Sequence, residues 1–423
     1  MTAPLEMDVA TPEEAAGEGA PGLSFMGRLA AVWRDPTLRL ASAGLLLFGS
    51  WTASIGVHQS VLATEAFGLG DGGVSLLLML SLVVAVTASL GVGIVTDQRP
   101  VRRPVALLTA GVLVAGPALV WLWPREEAFL AAHAVLIPLA GTMFGQIFAL
   151  ARLALGGHPE AERDRLLAVV RAVFAVPFMV VLPLWGLAFG QGLPILAIYP
   201  ATALLGAATV ALAWAAWPPD GTWGERPSGL GFWASLGEVA APGLLGRVAL
   251  VGAFHGGAAL NGALLGLTFA QAGRGVGDVG LFFGAFVAVE IVATLRLGPV
   301  LRRLGRLRTV ALGVAIYAAF LLLLPVLVAG PWVWALILPA GVGGALIYAL
   351  SLAYVQDLLA ERPGAGASLT ALQRVSQDGL AAGLFALGTA VQGYGTVAVM
   401  GAVATVLAVA ALLRLEARAA PRT

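Results

Sequence analysis

Twelve apolar stretches of about twenty residues or more follow one another along the chain, separated by clusters of charge, glycine and proline. They cover 38–64, 73–95, 105–123, 128–154, 166–188, 192–217, 243–270, 277–300, 309–329, 331–359, 367–390 and 394–415. A helix needs about 20 apolar residues to cross a hydrocarbon core. Strands of a membrane barrel would alternate apolar and polar residues, and an open sheet would leave its edge N–H and C=O groups unpaired in lipid. These stretches do not alternate. With 59% hydrophobic and only 11% charged residues, the chain falls far below the roughly 25% charge that wets a soluble surface. The expected fold is an all-α integral membrane protein with twelve transmembrane helices.

The longest polar interruption, 218–242, opens with Pro218, Pro219 and Asp220 and leaves six stretches on either side. The expected division is therefore a cytoplasmic N-terminal tail at 1–37 with room for an interfacial helix, a six-helix bundle at 38–217, a cytoplasmic linker at 218–242, a second six-helix bundle at 243–415, and a cytoplasmic tail at 416–423. Residues 1–22 carry Glu6, Asp8, Glu13, Glu14 and Glu18 and no basic start, which reads as a disordered tail and not as a cleaved signal peptide. Arginine sets the orientation. With both termini cytoplasmic at a bacterial inner membrane, Arg99, Arg102, Arg103, Arg163, Arg165, Arg226, Arg302, Arg303, Arg306, Arg308, Arg362 and Arg414 lie inside, and Arg125 and Arg274 fall on outer loops, obeying the positive-inside bias. Trp121, Trp123, Trp217 and Trp332 stand near span ends, where indoles anchor to the headgroup layer.

The halves echo each other. Gly93 through Leu107 registers on Gly298 through Leu312, Phe148-Ala149-Leu150 on Tyr348-Ala349-Leu350, and Arg171 on Arg374. The offsets are 298 − 93 = 205, 348 − 148 = 200 and 374 − 171 = 203, each joining span n to span n + 6. Parallel six-helix repeats place a solute path at their interface near the bilayer midplane.

Rare ionisable groups within the spans are the first candidates for chemistry, because each costs roughly 2.5–3.5 kcal/mol at the helix centre on insertion scales. Glu290 lies midway along span 8, between Val289 and Ile291, and is a candidate for proton coupling; a structural ion pair is the plainer alternative. Arg374 and Asp378 stand four apart on one face of span 11, with Gln373 and Gln377 beside them, a face too polar for lipid. Arg171 on span 5 either joins them or snorkels to the interface. A second polar set comprises His58 and Gln59 on span 1, Gln146 on span 4, and His255 and Asn261 on span 7. Amides offer donor and acceptor together, which suits a polyol, whereas bridging between helices is worth only about 0.6 kcal/mol. His133 and His158 carry no assignment; Trp51 and Trp185 could stack on a sugar face, but simple packing is the expectation.

Other classes lack their parts. The chain has no cysteine and a net charge of only +1, so thiolate metal sites and nucleic-acid binding are not expected. It has no GxxxxGK[ST] phosphate loop, no cluster at metal-ligand spacing and no nucleophile elbow. No cofactor is expected.

The loop Gly93-Ile-Val-Thr-Asp97-Gln-Arg-Pro-Val-Arg102-Arg103 resembles the GxxxDRxGRR signature of the major facilitator superfamily, departing at Gln98, Pro100 and Val101. The resemblance implies that Asp97, Arg102 and Arg103 latch this loop to a neighbouring helix, with Asp97 meeting the start of span 11 near Gly364–Ser368. Longer patches resemble the sugar efflux transporters within that superfamily: Gly145-Gln146-Ile-Phe-Ala-Leu-Ala-Arg152, Val170-Arg171-Ala172, Val289-Glu290-Ile291, and Tyr354-Val-Gln356-Asp357-Leu358 followed by Pro363-Gly364-Ala-Gly366 and Thr370 to Arg374. Leu153 and Asp378 depart from the pattern. The resemblance implies a substrate or gating role for Gln146, Arg152, Arg171, Glu290, Gln356, Asp357 and Arg374.

The expected activity is proton-coupled efflux of a sugar or sugar-like solute by alternating access. Glu290 and Asp378 would handle protons, and His58, Gln59, Gln146, Arg171, His255, Asn261, Gln373 and Arg374 would bind the solute. Asp97, Arg102, Arg103, Arg152, Gln356 and Asp357 would gate. The partners are the lipid bilayer, the solute and protons, and a monomer is expected. An exporter of drugs or other metabolites is the alternative, to be favoured by a cavity lined mainly by Trp and Phe. A membrane sensor or assembly partner would need a docking domain, which the short polar linker does not offer.

Overall fold

The computed structural model describes residues 25–99, 101–222, 242–360 and 366–419, and among these no strand occurs. Twelve long helices follow the apolar stretches: Pro36–Ala66, Asp71–Gln98, Arg102–Leu122, Glu126–Ala154, Glu160–Gly190, Ile195–Ala216, Pro242–Gln271, Val276–Leu295, Arg306–Leu327, Ile337–Ala360 led by a 3₁₀ turn at Pro331–Leu336, Gly366–Val391 and Tyr394–Ala419. These are spans 1 to 12. Eleven are apolar enough to cross a membrane by composition alone; span 11 is long enough but carries the Arg374–Asp378 face.

The ends follow local chemistry. Asp35 caps span 1, its Oδ1 accepting from the amides of Thr37 and Leu38 at 2.8 Å, and Pro36 supplies the first helical position, where a missing N–H costs nothing. Span 2 stops at Gln98 because Arg99 precedes Pro100 and is extended, at φ −135° and ψ 142°, as a pre-proline residue prefers. Span 8 is shorter than the expected 277–300. It stops at Leu295, and Gly298–Leu304 forms a separate helix. Pro299 has no N–H for the Leu295 carbonyl, so the ladder breaks there. Trp121, Trp123 and Trp332 are 55–71% exposed, as belt residues should be, whereas Trp217 is 6% exposed and packs in the core of the first half. That corrects its reading as an anchor: its position just past span 6 turns the indole inward.

The helix starts repeat at offsets of 276 − 71 = 205 and 306 − 102 = 204, and so does the packing. Spans 1 and 5 pack together as spans 7 and 11 do, 3 and 6 as 9 and 12, 1 and 6 as 7 and 12, and 2 and 4 as 8 and 10. Between the halves, span 2 lies along span 11 and span 5 along span 8. Exchanging n for n + 6 turns one seam into the other, which is the signature of two like bundles related by a two-fold axis. Each half has its own buried core, and a third core joins Leu62, Phe129 and Tyr199 of the first half to Leu264, Phe385 and Val397 of the second.

Arg274, one of the two arginines on the arginine-poor end, is consumed structurally. Its guanidinium donates to the carbonyls of Val328 and Gly330 at 2.5 and 2.6 Å and to Asp278 at 3.2 Å, capping the end of span 9. At the opposite end Glu416 accepts from Arg247 at 2.5 Å and from Tyr354 at 2.8 Å, tying spans 12, 7 and 10. A charge-assisted hydrogen bond contributes about 1.5–3 kcal/mol when shielded. Here the ion pair is 24% and 26% exposed, so solvent screening leaves less. Glu416→Gln is expected to lower the melting temperature in detergent by about 2–4 °C, the shift for a loss near 1 kcal/mol; an unchanged melting curve would show that the clamp contributes nothing.

Candidate functional site

A cavity of about 470 Å³ lies between the two halves. Span 1 contributes Phe48, Trp51, Thr52 and Gln59; span 2 contributes Leu78, Ser81, Leu82, Ala85 and Ser89; span 4 contributes His133, Ile137, Pro138, Gly141 and Phe144; span 5 contributes Phe174. The second half gives Ala259, Leu260 and Ala263 from span 7 and Arg374, Asp378, Ala381 and Ala382 from span 11. The spacing is helical throughout: residues three, four and seven apart share a face.

Its walls differ. The first half presents an aromatic surface, with Phe48 stacked on Trp51 at 6.1 Å and on Phe174 at 6.0 Å, and Phe144 edge-on to Phe174 at 5.0 Å. Trp51 is held in place by donation of its indole N–H to the Leu113 carbonyl at 3.0 Å. The second half presents the charges: Arg374 Nε lies 3.4 Å from Asp378 Oδ2, and the two side chains are 58% and 31% exposed. At that length and exposure the pair is weak, which leaves both groups able to engage a solute.

One end of the cavity is shut. At the arginine-poor end Ser60 donates to the Ala263 carbonyl at 2.8 Å, Tyr394 donates to Asp71 at 2.8 Å, and Gly186 of span 5 meets Gly277 and Gly280 of span 8 backbone to backbone. Toward the arginine-rich end, Ser89 and Arg374 are exposed.

Of the residues singled out from sequence, the structure brings Gln59, Arg374 and Asp378 to the cavity. Other expected ligands lie behind its walls. His58 turns its Nδ1 to the Ser54 carbonyl at 2.9 Å and packs edge-on to Phe189; His255 turns its Nδ1 to the Val251 carbonyl at 2.7 Å beside the Tyr348 ring. Gln146 and Asn261 are buried, 5% and 1% exposed, with Asn261 beside Tyr317. Arg171 stacks on Phe148 at 5.0 Å, joining spans 5 and 4. Gln373 sets its backbone carbonyl against Gly252 of span 7, and its side chain is outside the lining. These six lie outside the lining of this cavity, on helix faces other than those that carry Gln59 and Arg374 to it. Glu290 sits within the second half, its carboxyl facing Gly344 and Phe286 and near Tyr317 and Tyr348, without an ion-pair or hydrogen-bond partner among the described residues.

Among the expected gating residues, Arg103 is tied within its own half, its amide donating to Asp220 at 2.9 Å and its guanidinium to the Trp214 carbonyl at 3.0 Å. This places it against span 6 and the following linker. Arg152 is exposed and Arg102 half-buried. The side chains of Asp97, Gln356 and Asp357 lie outside the described residues, as do residues 364–365 and the side chains of 366–368, the stretch expected to meet Asp97.

Sequence reasoning passed over Thr52, Ser81, Ser89 and the Phe48, Phe144 and Phe174 rings beside Trp51, and it left His133 unassigned. A signal existed for two of them, since Ser81, Ala85 and Ser89 recur every four residues along an otherwise bulky apolar helix.

Comparison with known proteins agrees with this architecture. Residues 40–377 match the sequence profile of the Major Facilitator Superfamily. A protein of Deinococcus radiodurans named as a candidate sugar efflux transporter is 30% identical over 142 residues, 32% of this chain; the matched stretch spans 35% of that relative's length. The crystal structure of the nucleoside transporter NupG superposes with a TM-score of 0.66 at 15% identity, covering 90% of this chain and 98% of that one. A point mutant of the same transporter gives 0.67 at 15% identity, covering 90% and 100%. At such identity the likeness is one of fold. With the profile spanning most of the chain, and with paired six-helix halves around a central cavity, this protein is a multi-pass membrane transporter that belongs to the major facilitator superfamily.

Proposed function

We propose that the protein exports a sugar or sugar-like small polar solute across a bacterial inner membrane in exchange for protons, as a monomer with both termini cytoplasmic. The observation that carries this reading is the two-faced cavity. A sugar ring has an apolar C–H face that can lie on the Phe48–Trp51–Phe174 surface and hydroxyls that can reach Gln59, Arg374 and Asp378. In this orientation the cavity opens to the cytoplasm and is closed outside, the state in which an exporter loads. Asp378 at the cavity and Glu290 behind it would couple the cycle to protons, and the loop carrying Asp97, Arg102 and Arg103, with Arg152, Gln356 and Asp357, would gate it. The Deinococcus radiodurans relative, named for sugar efflux, and the nucleoside transporter of like fold support a ring-bearing polar solute.

A second reading is favoured by one observation: four aromatic residues and a single amide line the cavity, a composition that also suits an amphipathic drug-like solute. Reconstitution separates the two. Proteoliposomes with an imposed pH gradient are expected to accumulate labelled lactose or glucose and to show little competition from excess amphipathic cations. Accumulation of a labelled amphipathic cation, with no sugar movement, would replace the first reading by the second.

A further inference from the structure

Three histidines lie within the spans near the cavity, and their surroundings separate them. His58 and His255 both satisfy Nδ1 with the carbonyl one turn back; His58 leaves Nε2 buried without a partner among the described residues, but neither histidine lines the cavity. His133 does line it. It occurs in a π-helical turn, Ala132–Leu136, just ahead of Pro138, whose missing N–H loosens the ladder; such widened turns gather at functional sites. The distorted turn lets Ser81 of span 2 donate to the His133 carbonyl at 2.8 Å. On the ring, Nε2 is engaged by the Tyr199 hydroxyl at 3.0 Å, and one face is covered by Phe129 at 4.2 Å, itself stacked on Phe67 at 4.5 Å. The residue is 1% exposed, and Nδ1 is buried without a partner among the described residues.

A buried ring nitrogen left unpaired is costly, and among the buried side-chain atoms without a partner only that of His133 belongs to a residue lining the cavity. Tyr199 and Phe129, which occupy Nε2 and one ring face, are both outside the cavity lining, so Nδ1 is the ring nitrogen left without a partner on this cavity-lining residue. Gln59, from the broken end of span 1, lines the same cavity, and no side-chain hydrogen bond of Gln59 is seen among the described residues.

We propose that His133 is a solute ligand at the closed end of the cavity, its Nδ1 and the Gln59 amide together reading one hydroxyl of the solute. This rests on the reading of the cavity as the transport site for a hydroxyl-bearing ring. Nδ1 is covered in this structure, so contact with the solute requires the His133 side chain to shift as the solute seats. Tyr199 is a positioning residue: by engaging Nε2 it decides whether Nδ1 donates or accepts.

The test compares wild type, His133→Phe and Tyr199→Phe in proteoliposomes, with glucose, lactose and their singly deoxygenated analogues as probes. His133→Phe keeps a ring on Phe129 and removes both nitrogens. Loss of one hydrogen bond predicts a KM raised about tenfold for the parent sugar, with Vmax little changed, and no penalty for the one analogue lacking the hydroxyl that is read. Tyr199→Phe is expected to give a smaller rise with the same analogue pattern. A penalty equal for every analogue, or none, overturns the assignment while leaving sugar transport intact. Absence of any sugar response in the wild type overturns the substrate reading and this inference with it. Should His133→Phe fail to reach the membrane, His133→Gln carries the same analogue comparison.

Discussion

Gly280→Leu is expected to reduce transport about 100-fold and to leave the cavity open at its arginine-poor end. A Cβ at Gly280 would lie 2.5 Å from the Leu182 carbonyl and 3.1 Å from the Gly186 amide, and one at Gly186 would lie 2.6 Å from the Gly277 carbonyl. All of these neighbours are backbone, which cannot turn aside as a side chain does. Glycine in a helix interior is otherwise a liability of about 1 kcal/mol, so its use on both helices reflects their close approach. A side chain there would force spans 5 and 8 apart, at an overpacking cost of about 1–3 kcal/mol or more. Since about 1.4 kcal/mol is tenfold, the upper end of that range is roughly a 100-fold shift away from the closed seam. The chain has no cysteine, so Ala263→Cys, at the closed end of the cavity lining, supplies a reporter without background. In the Gly280→Leu protein it should react with a membrane-impermeant maleimide from the arginine-poor side, and in the parent hardly at all. Gly111→Ala, where an added Cβ meets open space, should change neither readout. Equal labelling of parent and variant, with transport retained, would show that this seam does not part during the cycle.

The seam was invisible in the sequence, and the reason is physical. In lipid, a span is apolar all around, so no periodic contrast marks which side faces a partner, a cavity or the acyl chains. Lengths survive this loss, because the hydrocarbon thickness sets them; hence Pro36–Ala66 and Tyr394–Ala419 agree with 38–64 and 394–415 to within a few residues. The repeat survives too, since the offset from Asp71 to Val276 does not depend on facing. Side-chain direction survives only where polar residues share a face, as Arg374 and Asp378 do. Gln146, His255 and Asn261 stand singly among small and apolar residues, His58 has only Gln59 and Ser60 beside it, and nothing in their neighbours distinguishes them from His133. Rotation about the helix axis separates ligand from packing residue, and it is fixed by contacts such as those of Trp51 with Leu113 and Trp185 with Ser54, far apart in the chain.

Glu290→Gln is expected to abolish accumulation driven by a pH gradient, by tenfold or more, while leaving downhill exchange of the same solute. The substitution keeps size and hydrogen-bonding capacity and removes only the ability to carry a proton. Glu290 is placed where that ability matters. It stands between Phe286 and Gly344, beside Tyr317 and Tyr348, with no cation paired to it among the described residues. A carboxyl without a fixed counter-charge in a low-dielectric interior has a proton occupancy that responds to each change around it. Tyr348 stands near Asp378 as well as near Glu290. When span 11 moves against span 2, as alternating access requires, Asp378 moves with it, and the charge around Tyr348 and Glu290 is expected to change. Asp378→Asn should behave differently, losing downhill exchange as well, because Asp378 lines the cavity and pairs with Arg374. Full gradient-driven accumulation in Glu290→Gln would remove Glu290 from the coupling and leave its placement a matter of packing between spans 8, 9 and 10.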